Sequence, residues 1–224
     1  MNAVVDNDIV HKGACYGILA DILQPHNGAG GAIGALGTAR FVVSKRIKKM
    51  RLKRNGSLAL EELRKFLSRC VELSPTEDEQ RLAAEFEFAA QQLAVNLDTG
   101  ESQLCAIVIV RLIPRLLTGD KRAITALERL HDGHPALQAI RGKVGCLEQA
   151  ILNLVARGQL PLLRTAICSE PTVDKTLTIC FGCSSADAPP ETVLEGLNSY
   201  INALRAEATT TAQQVALGNP NENT

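Results

Sequence analysis

The sequence contains no Trp, and aromatic residues make up only 3% of its 224 positions. Any core must therefore be built from aliphatic side chains. Hydrophobic residues account for 46% of the chain, which is enough for a sizeable core. No apolar run reaches the ~18 to 20 residues that a membrane-spanning helix needs. These features predict a soluble globular protein that has no membrane partner.

The chain also lacks an excess of charge of either sign, because Lys plus Arg and Asp plus Glu both number 24. Overall charge thus gives no indication of nucleic-acid binding, and any such surface must be local. Residues 45–54 form one candidate surface, since seven of the ten are basic and none is acidic. We predict that this run contacts nucleic-acid phosphates. The residues concerned are Lys45, Arg46, Lys48, Lys49 and Arg51.

Histidine is scarce, with four residues, and none is paired with a plausible nucleophile, which argues against a Ser-His-Asp or Cys-His catalytic arrangement. The seven cysteines are odd in number and no secretory signal precedes them. We therefore expect reduced thiols in a cytoplasmic protein. The pair Cys180 and Cys183 has no partner pair, so two buried thiols are expected there.

The hydrophobic patterning predicts an α/β protein with a mainly parallel central sheet. Strands are predicted at residues 2–6, 40–44, 71–73, 115–117 and 143–146. Helices are predicted at residues 14–23, 57–70, 77–95, 101–112, 121–130 and 148–157, with a Gly-rich loop at residues 25–37. A region of mixed character follows, and it ends in a helix that includes Leu197 and Ile201.

Three acidic residues occupy comparable positions in this pattern. Asp6 ends the first strand, Glu101 lies in the first turn of a helix, and Asp120 follows a strand and a short turn. A carboxylate in a first turn is also favoured by the helix dipole alone. In open α/β sheets, however, sites are built at the carboxyl ends of strands. Three carboxylates that converge there would suit Mg²⁺ or Mn²⁺.

The arrangement resembles that of the PIN-domain nucleases. In that family the first strand ends in Asp, as in VVDNDIV at residues 4–10. An acid then opens a helix rich in small apolar residues, as in GESQLCA at residues 100–106. Last comes a hydrophobic strand that runs into Thr-x-Asp, as in LLTGDKRA at residues 116–123. The order and spacing agree over roughly the first 130 residues.

This resemblance implies a three-layer α/β/α sandwich and a metal-dependent nuclease, with RNA as its expected substrate. Asp6, Glu101 and Asp120 would be catalytic and would bind Mg²⁺ or Mn²⁺ together with Asp8. Thr118 offers a hydroxyl beside Asp120, and Lys121 and Arg122 would meet phosphate oxygens. A second copy of the chain or a regulatory protein is a further candidate partner.

The chain departs from the family after the second strand, where many PIN domains carry a Glu. The neighbourhood here is basic, and Glu62 on the next helix is one of the nearest acids. Glu148 follows a strand and is a second reserve carboxylate. The missing Glu supports an alternative, a PIN-like module that binds RNA or a protein without cutting. A Mg²⁺-dependent phosphatase is disfavoured because the first strand lacks the expected Asp pair and turn.

The predicted organisation has three parts. A PIN-like domain spans residues 1–158, a C-terminal α/β extension spans residues 159–206 and packs on it, and residues 207–224 form a disordered tail. The tail is rich in Thr, Asn and Gln, a composition that cannot bury much apolar surface.

Overall fold

The computed structural model of the protein describes residues 1–23, 31–53, 56–185 and 188–212. Five short strands form one parallel sheet in the order β3-β2-β1-β4-β5. The strands are β1 (Ala3–Val5), β2 (Ile33–Leu36), β3 (Val71–Leu73), β4 (Leu116–Thr118) and β5 (Val144–Cys146). The predicted α/β class and parallel sheet are confirmed.

Helices fill most of the remaining chain. In the first half they are α1 (Asn7–Tyr16), α2 (Leu19–Ile22), α3 (Ala39–Lys49), α4 (Gly56–Leu67), α5 (Glu77–Gln92) and α6 (Thr99–Val110). The second half contains α7 (Lys121–Leu130), α8 (Leu147–Ala156), α9 (Leu160–Ser169), α10 (Lys175–Cys180) and α11 (Pro190–Glu207), with a 3₁₀ helix at Pro135–Ile140. Among the described residues, no helix is long and apolar enough to cross a bilayer.

Both faces of the sheet are buried, as parallel sheets require. Val4 belongs to one apolar cluster with Phe86, Ile107 and Leu127, which lie on α5, α6 and α7. Its neighbour Val5 points to the other face. The second cluster is formed mainly by the remaining helices and includes Val10, Val43, Leu63, Ile151 and Leu177. The arrangement is compatible with a three-layer α/β/α fold.

The second strand lies outside its predicted position, and the prediction of a strand at residues 40–44 is wrong. The spacing of Ala39, Val43 and Ile47 places three buried side chains on one face of α3. Three consecutive apolar residues within that helix had the composition of a strand. The true strand β2 lies instead within the predicted Gly-rich loop, whose residues 24–30 lie outside the described residues.

The first helix also begins earlier than predicted, directly after β1. The side chain of Asp6 accepts a hydrogen bond from the backbone N–H of Ile9 at 2.7 Å and so caps the helix. Gly17 ends α1 with φ of 71°, a conformation that glycine adopts without strain. The predicted helix at residues 14–23 is therefore the end of α1 followed by α2.

The prediction that all cysteines are reduced is wrong, because Cys168 and Cys183 form a disulfide. The end of α9 and the turn after α10 bring their Cα atoms to 5.0 Å. Cys180 is buried and unpaired, as expected, but Cys183 is not. A pairing of Cys183 with a cysteine 15 residues earlier could not be inferred from the local CxxC spacing.

The predicted disordered tail is ordered in its first part. The backbone N–H groups of Thr210 and Thr211 donate to the carboxylate of Glu128, and Val144 pairs with Ala212 beside the sheet. Residues 213–224 lie outside the described residues.

Candidate active site

The strand order reverses at β1, because β2 and β3 lie on one side of it and β4 and β5 lie on the other. At such a point the connecting helices diverge and leave a crevice outside the carboxyl ends of the strands. Asp6 follows β1 at this edge and Thr118 ends β4. The topology therefore places two of the predicted residues beside one another.

Asp6 is 5% exposed and is held by three donors. Besides Ile9, the hydroxyl of Thr118 donates to it at 2.6 Å and the N–H of Gly119 donates at 3.1 Å. Burial raises the pKa of Asp6 to about 6, and these hydrogen bonds oppose the rise. Asp6 thus connects the ends of β1 and β4 and caps α1, although its burial disfavours the charged form of its carboxylate.

Glu101 lies in the first turn of α6 and forms a capping box with Asp98. The N–H of Glu101 donates to Asp98 at 2.9 Å, and the N–H of Asp98 donates to the Glu101 carboxylate at 3.1 Å. Burial raises the pKa of Glu101 to about 8, with further contributions from the charges of Asp98, Asp120 and Asp6. Glu101 is therefore both a helix cap and a member of a group of carboxylates that repel one another.

Asp120 caps α7 and is held by Arg122. The backbone N–H of Arg122 donates at 2.9 Å, and its guanidinium donates at 2.6 Å and 3.1 Å. Burial opposes the charge of Asp120, but the hydrogen bonds from Arg122 outweigh it and hold the pKa below its usual value. Thr118 also contacts this residue, because its hydroxyl accepts from the N–H of Asp120 at 3.1 Å.

Asp8 is neutralised by cations from two helices. Lys12 Nζ lies 2.6 Å from Asp8 Oδ2 and 2.8 Å from Asp174 Oδ2, and Arg46 approaches Asp8 at 3.6 Å. Gly119 permits this packing, because a Cβ at position 119 would lie 2.3 Å from Asp8 Oδ2. Asp174 caps α10, so this ion pair connects the site to the C-terminal helices.

These side chains line one cleft of about 330 Å³. Its carboxylates are Asp6, Asp8, Asp98, Glu101 and Asp120, and its cations are Lys12, Arg46 and Arg122. Leu36 and Leu104 supply apolar wall. The cleft thus combines an excess of carboxylates with cations that can bind an anion.

The chemical character of these donors fits a divalent cation such as Mg²⁺, because all are carboxylate oxygens. A cation would also relieve the repulsion that adds to the effect of burial on the pKa of Glu101. Within the described residues, however, no group of three His, Cys, Asp or Glu side chains is arranged to hold a metal ion. Asp8 and Asp120 are instead turned toward Lys12 and Arg122. Metal binding would therefore require side-chain rotation.

The two reserve carboxylates lie elsewhere. Glu148 is buried and forms an ion pair with Lys121 at 2.6 Å, and Lys121 Nζ lies 4.6 Å from the ring centroid of Tyr200. Glu62 is on α4, where it lies 3.5 Å from Lys65. Lys121 is consequently engaged in a structural ion pair, contrary to the prediction that it meets phosphate.

The basic run separates into two groups in the structure. Arg46 reaches the cleft, whereas Lys45, Lys48 and Lys49 are exposed on α3 and Arg51 is exposed just beyond it. The sequence did not lead us to expect Asp98 in the cleft. The capping pattern of Asp98 with Glu101 three residues later was a usable signal for it. The contact of Lys12 with Asp174 had no local signal.

A comparison of the chain with known protein-family models, curated proteins and solved structures gives no match. The residues of the cleft are therefore the basis on which a function can be inferred.

Proposed function

We propose that the protein is a metal-dependent nuclease of the PIN-like type that hydrolyses phosphodiester bonds in RNA. The proposal rests on one observation. Asp6, Glu101 and Asp120 line one cleft at the point where the strand order reverses. These three residues come from distant parts of the chain. Packing does not require so many acids at one edge, and their mutual repulsion is a cost that a bound cation would remove.

Asp6, Glu101 and Asp120 would hold Mg²⁺ or Mn²⁺, and Asp8 would join them if Lys12 released it. The metal would supply Lewis acidity and a water that is nucleophilic near neutral pH. Thr118 fixes the orientation of Asp6 through a hydrogen bond of 2.6 Å. Arg46 and Arg122 lie where they can bind the oxygens of a phosphate that enters the cleft.

A second candidate is a module that binds RNA or a protein without cutting it. The ion pairs of Asp8 with Lys12 and of Asp120 with Arg122 favour this alternative, because they already neutralise two of the carboxylates. The residues after β2, Gly37 and Thr38, also provide no acid, although the predicted absence of a Glu referred to the residues after a strand at 40–44.

Asp120→Asn tests the proposal, with Asp132→Asn as the matched control, since Asp132 is exposed and lies beyond the far end of α7. Wild type should be stabilised by Mn²⁺, by about 2.7 kcal/mol when the free metal reaches a hundred times its dissociation constant. It should degrade labelled RNA with Mn²⁺ and not with EDTA. Asp120→Asn should lose both effects and Asp132→Asn should keep them.

The metal-free stability of Asp120→Asn should change by less than about 1 kcal/mol, because Arg122 is largely exposed and Asn can still cap α7. If wild type shows neither a metal-dependent shift in melting temperature nor cleavage, the non-catalytic module replaces the nuclease.

A further inference from the structure

The outward face of α3 combines an exposed aromatic ring with cations. Ala39, Val43 and Ile47 bury one side of the helix. Phe41, Lys45 and Lys48 follow one another at intervals of four and three residues, so they share the opposite side. Phe41 is 72% exposed, the largest exposure of any aromatic residue in the described part of the chain. Packing within the protein therefore does not account for this ring.

The charge around Phe41 has one sign. The helix carries Arg40, Lys45, Arg46, Lys48 and Lys49 and contains no acidic residue. Arg40 pairs with Glu72, and Arg46 approaches Asp8. Within the described residues, Lys45, Lys48 and Lys49 have no acidic partner within 4 Å. In a protein with zero net charge, this face is a local cationic surface.

The same helix reaches the cleft. Arg46 lines it, and Phe41 precedes Arg46 by five residues, which corresponds to about 7.5 Å along the helix axis. The first turn of α3 follows β2, whose last residue Leu36 also lines the cleft. A ligand on the outer face of α3 would therefore lie next to the cleft.

We propose that the outer face of α3 binds an unpaired stretch of nucleic acid. One base stacks on Phe41, and Lys45 and Lys48 contact the neighbouring phosphates. Stacking on an aromatic side chain needs a base whose face is open, and a duplex hides those faces between adjacent pairs. The charge of α3 complements a phosphate backbone and opposes binding of a basic partner. The inference deepens the proposed function but does not require cleavage.

A second exposed phenylalanine provides the control. Phe88 on α5 is 64% exposed, but the positions one turn away carry Ala84, Glu85, Gln91 and Gln92, none of which is a cation. Phe41→Leu and Phe88→Leu thus remove rings of similar exposure from surfaces of different charge. Both variants should keep the urea midpoint of wild type, because neither ring is buried.

Binding is measured in EDTA, so that it is independent of cleavage, with three probes: a short labelled polyuridylate, the same backbone without bases, and a polyadenylate–polyuridylate duplex. Phe41→Leu should weaken binding to polyuridylate at least about fivefold and leave binding to the baseless backbone unchanged. Phe88→Leu should change neither. Lys45→Gln with Lys48→Gln should flatten the salt dependence by about 0.7 per lost phosphate contact.

The inference is overturned if wild type does not bind polyuridylate, if it prefers the duplex, or if Phe41→Leu behaves like Phe88→Leu. The first of these results would turn attention to a protein partner for the face. Cleavage assayed separately distinguishes the two proposals. Phe41-dependent binding without cleavage removes the nuclease alone, whereas cleavage without any dependence of binding on Phe41 removes this inference alone.

Discussion

Lys12 is the residue at which the cleft and the C-terminal helices are most directly linked, so Lys12→Met should destabilise the protein. Nζ lies 2.6 Å from Asp8 and 2.8 Å from Asp174, and the side chains of the three residues are 14%, 24% and 10% exposed. Burial lowers the pKa of Lys12, but the two carboxylates outweigh it and hold that pKa above its usual value. Met keeps the length of the side chain and removes its charge.

The magnitude follows from this partial burial. Exposed ion pairs contribute about 0 to 1 kcal/mol, whereas removal of one partner from a buried pair costs about 3 to 5 kcal/mol. Lys12→Met leaves Asp174 without its ion pair and leaves Asp8 with Arg46 alone, at 3.6 Å, and neither carboxylate is fully buried. We therefore expect the free energy of unfolding to fall by about 2 to 4 kcal/mol.

The assay is urea denaturation followed by circular dichroism, because the protein has no Trp to report on unfolding. Lys65→Met is the control: that lysine is 58% exposed and lies 3.0 Å from Glu61, so its loss should leave the free energy of unfolding nearly unchanged. Adding Asp174→Asn to Lys12→Met should restore part of the lost stability, since Asn still caps α10 and carries no charge. A Lys12→Met effect no larger than that of Lys65→Met, or strict additivity with Asp174→Asn, would refute this reasoning.

Two further predictions follow from the disulfide and from the carboxylates. Cys168→Ser should lower the free energy of unfolding by up to about 3 kcal/mol, because the disulfide closes a loop of 15 residues. A reductant should lower the urea midpoint of wild type to that of Cys168→Ser and leave the midpoint of the variant unchanged. Wild type should lose stability between about pH 5 and pH 8.5. Folding raises the pKa of Glu101 from 4.5 to about 8, so Glu101 binds a proton more tightly in the folded protein, and this stabilisation disappears as the proton is lost. Glu101→Gln should flatten this slope in urea titrations at the two pH values, and an unchanged slope would show that Glu101 titrates normally.

The sequence predicted most of the sheet because β1, β4 and β5 are short segments of largely apolar residues and β3 is short and followed by a polar residue. The match is best for β3, whose bounds are those predicted, and β1, β4 and β5 differ by at most one residue at an end. β2 was missed because Gly34 interrupts its apolar pattern and glycines precede it. The error moved α3 as well, because Phe41, Val42 and Val43 have strand propensity but belong to a helix that buries Val43.

The site could be predicted where the residues follow strands or helix starts. Asp6 and Asp120 could be located because each follows a strand and caps the next helix. The partners that determine their charge state could not, since Lys12 contacts Asp174 across the fold and Lys121 turns to the buried Glu148. Local patterns placed the carboxylates, but the ion pairs depend on tertiary packing, which no spacing in the sequence encodes.

The contact between Lys12 and Asp174 has a consequence for how the protein is made. A ribosome releases the chain from its N-terminus, so β1, α1 and β4 emerge well before α10, at about 5 to 20 residues per second. During that interval Lys12 can pair with Asp8 but not with Asp174, so it has one carboxylate partner instead of two. The charge balance of the cleft is therefore settled only late in synthesis, when a segment that supplies none of the predicted metal ligands has folded against α1.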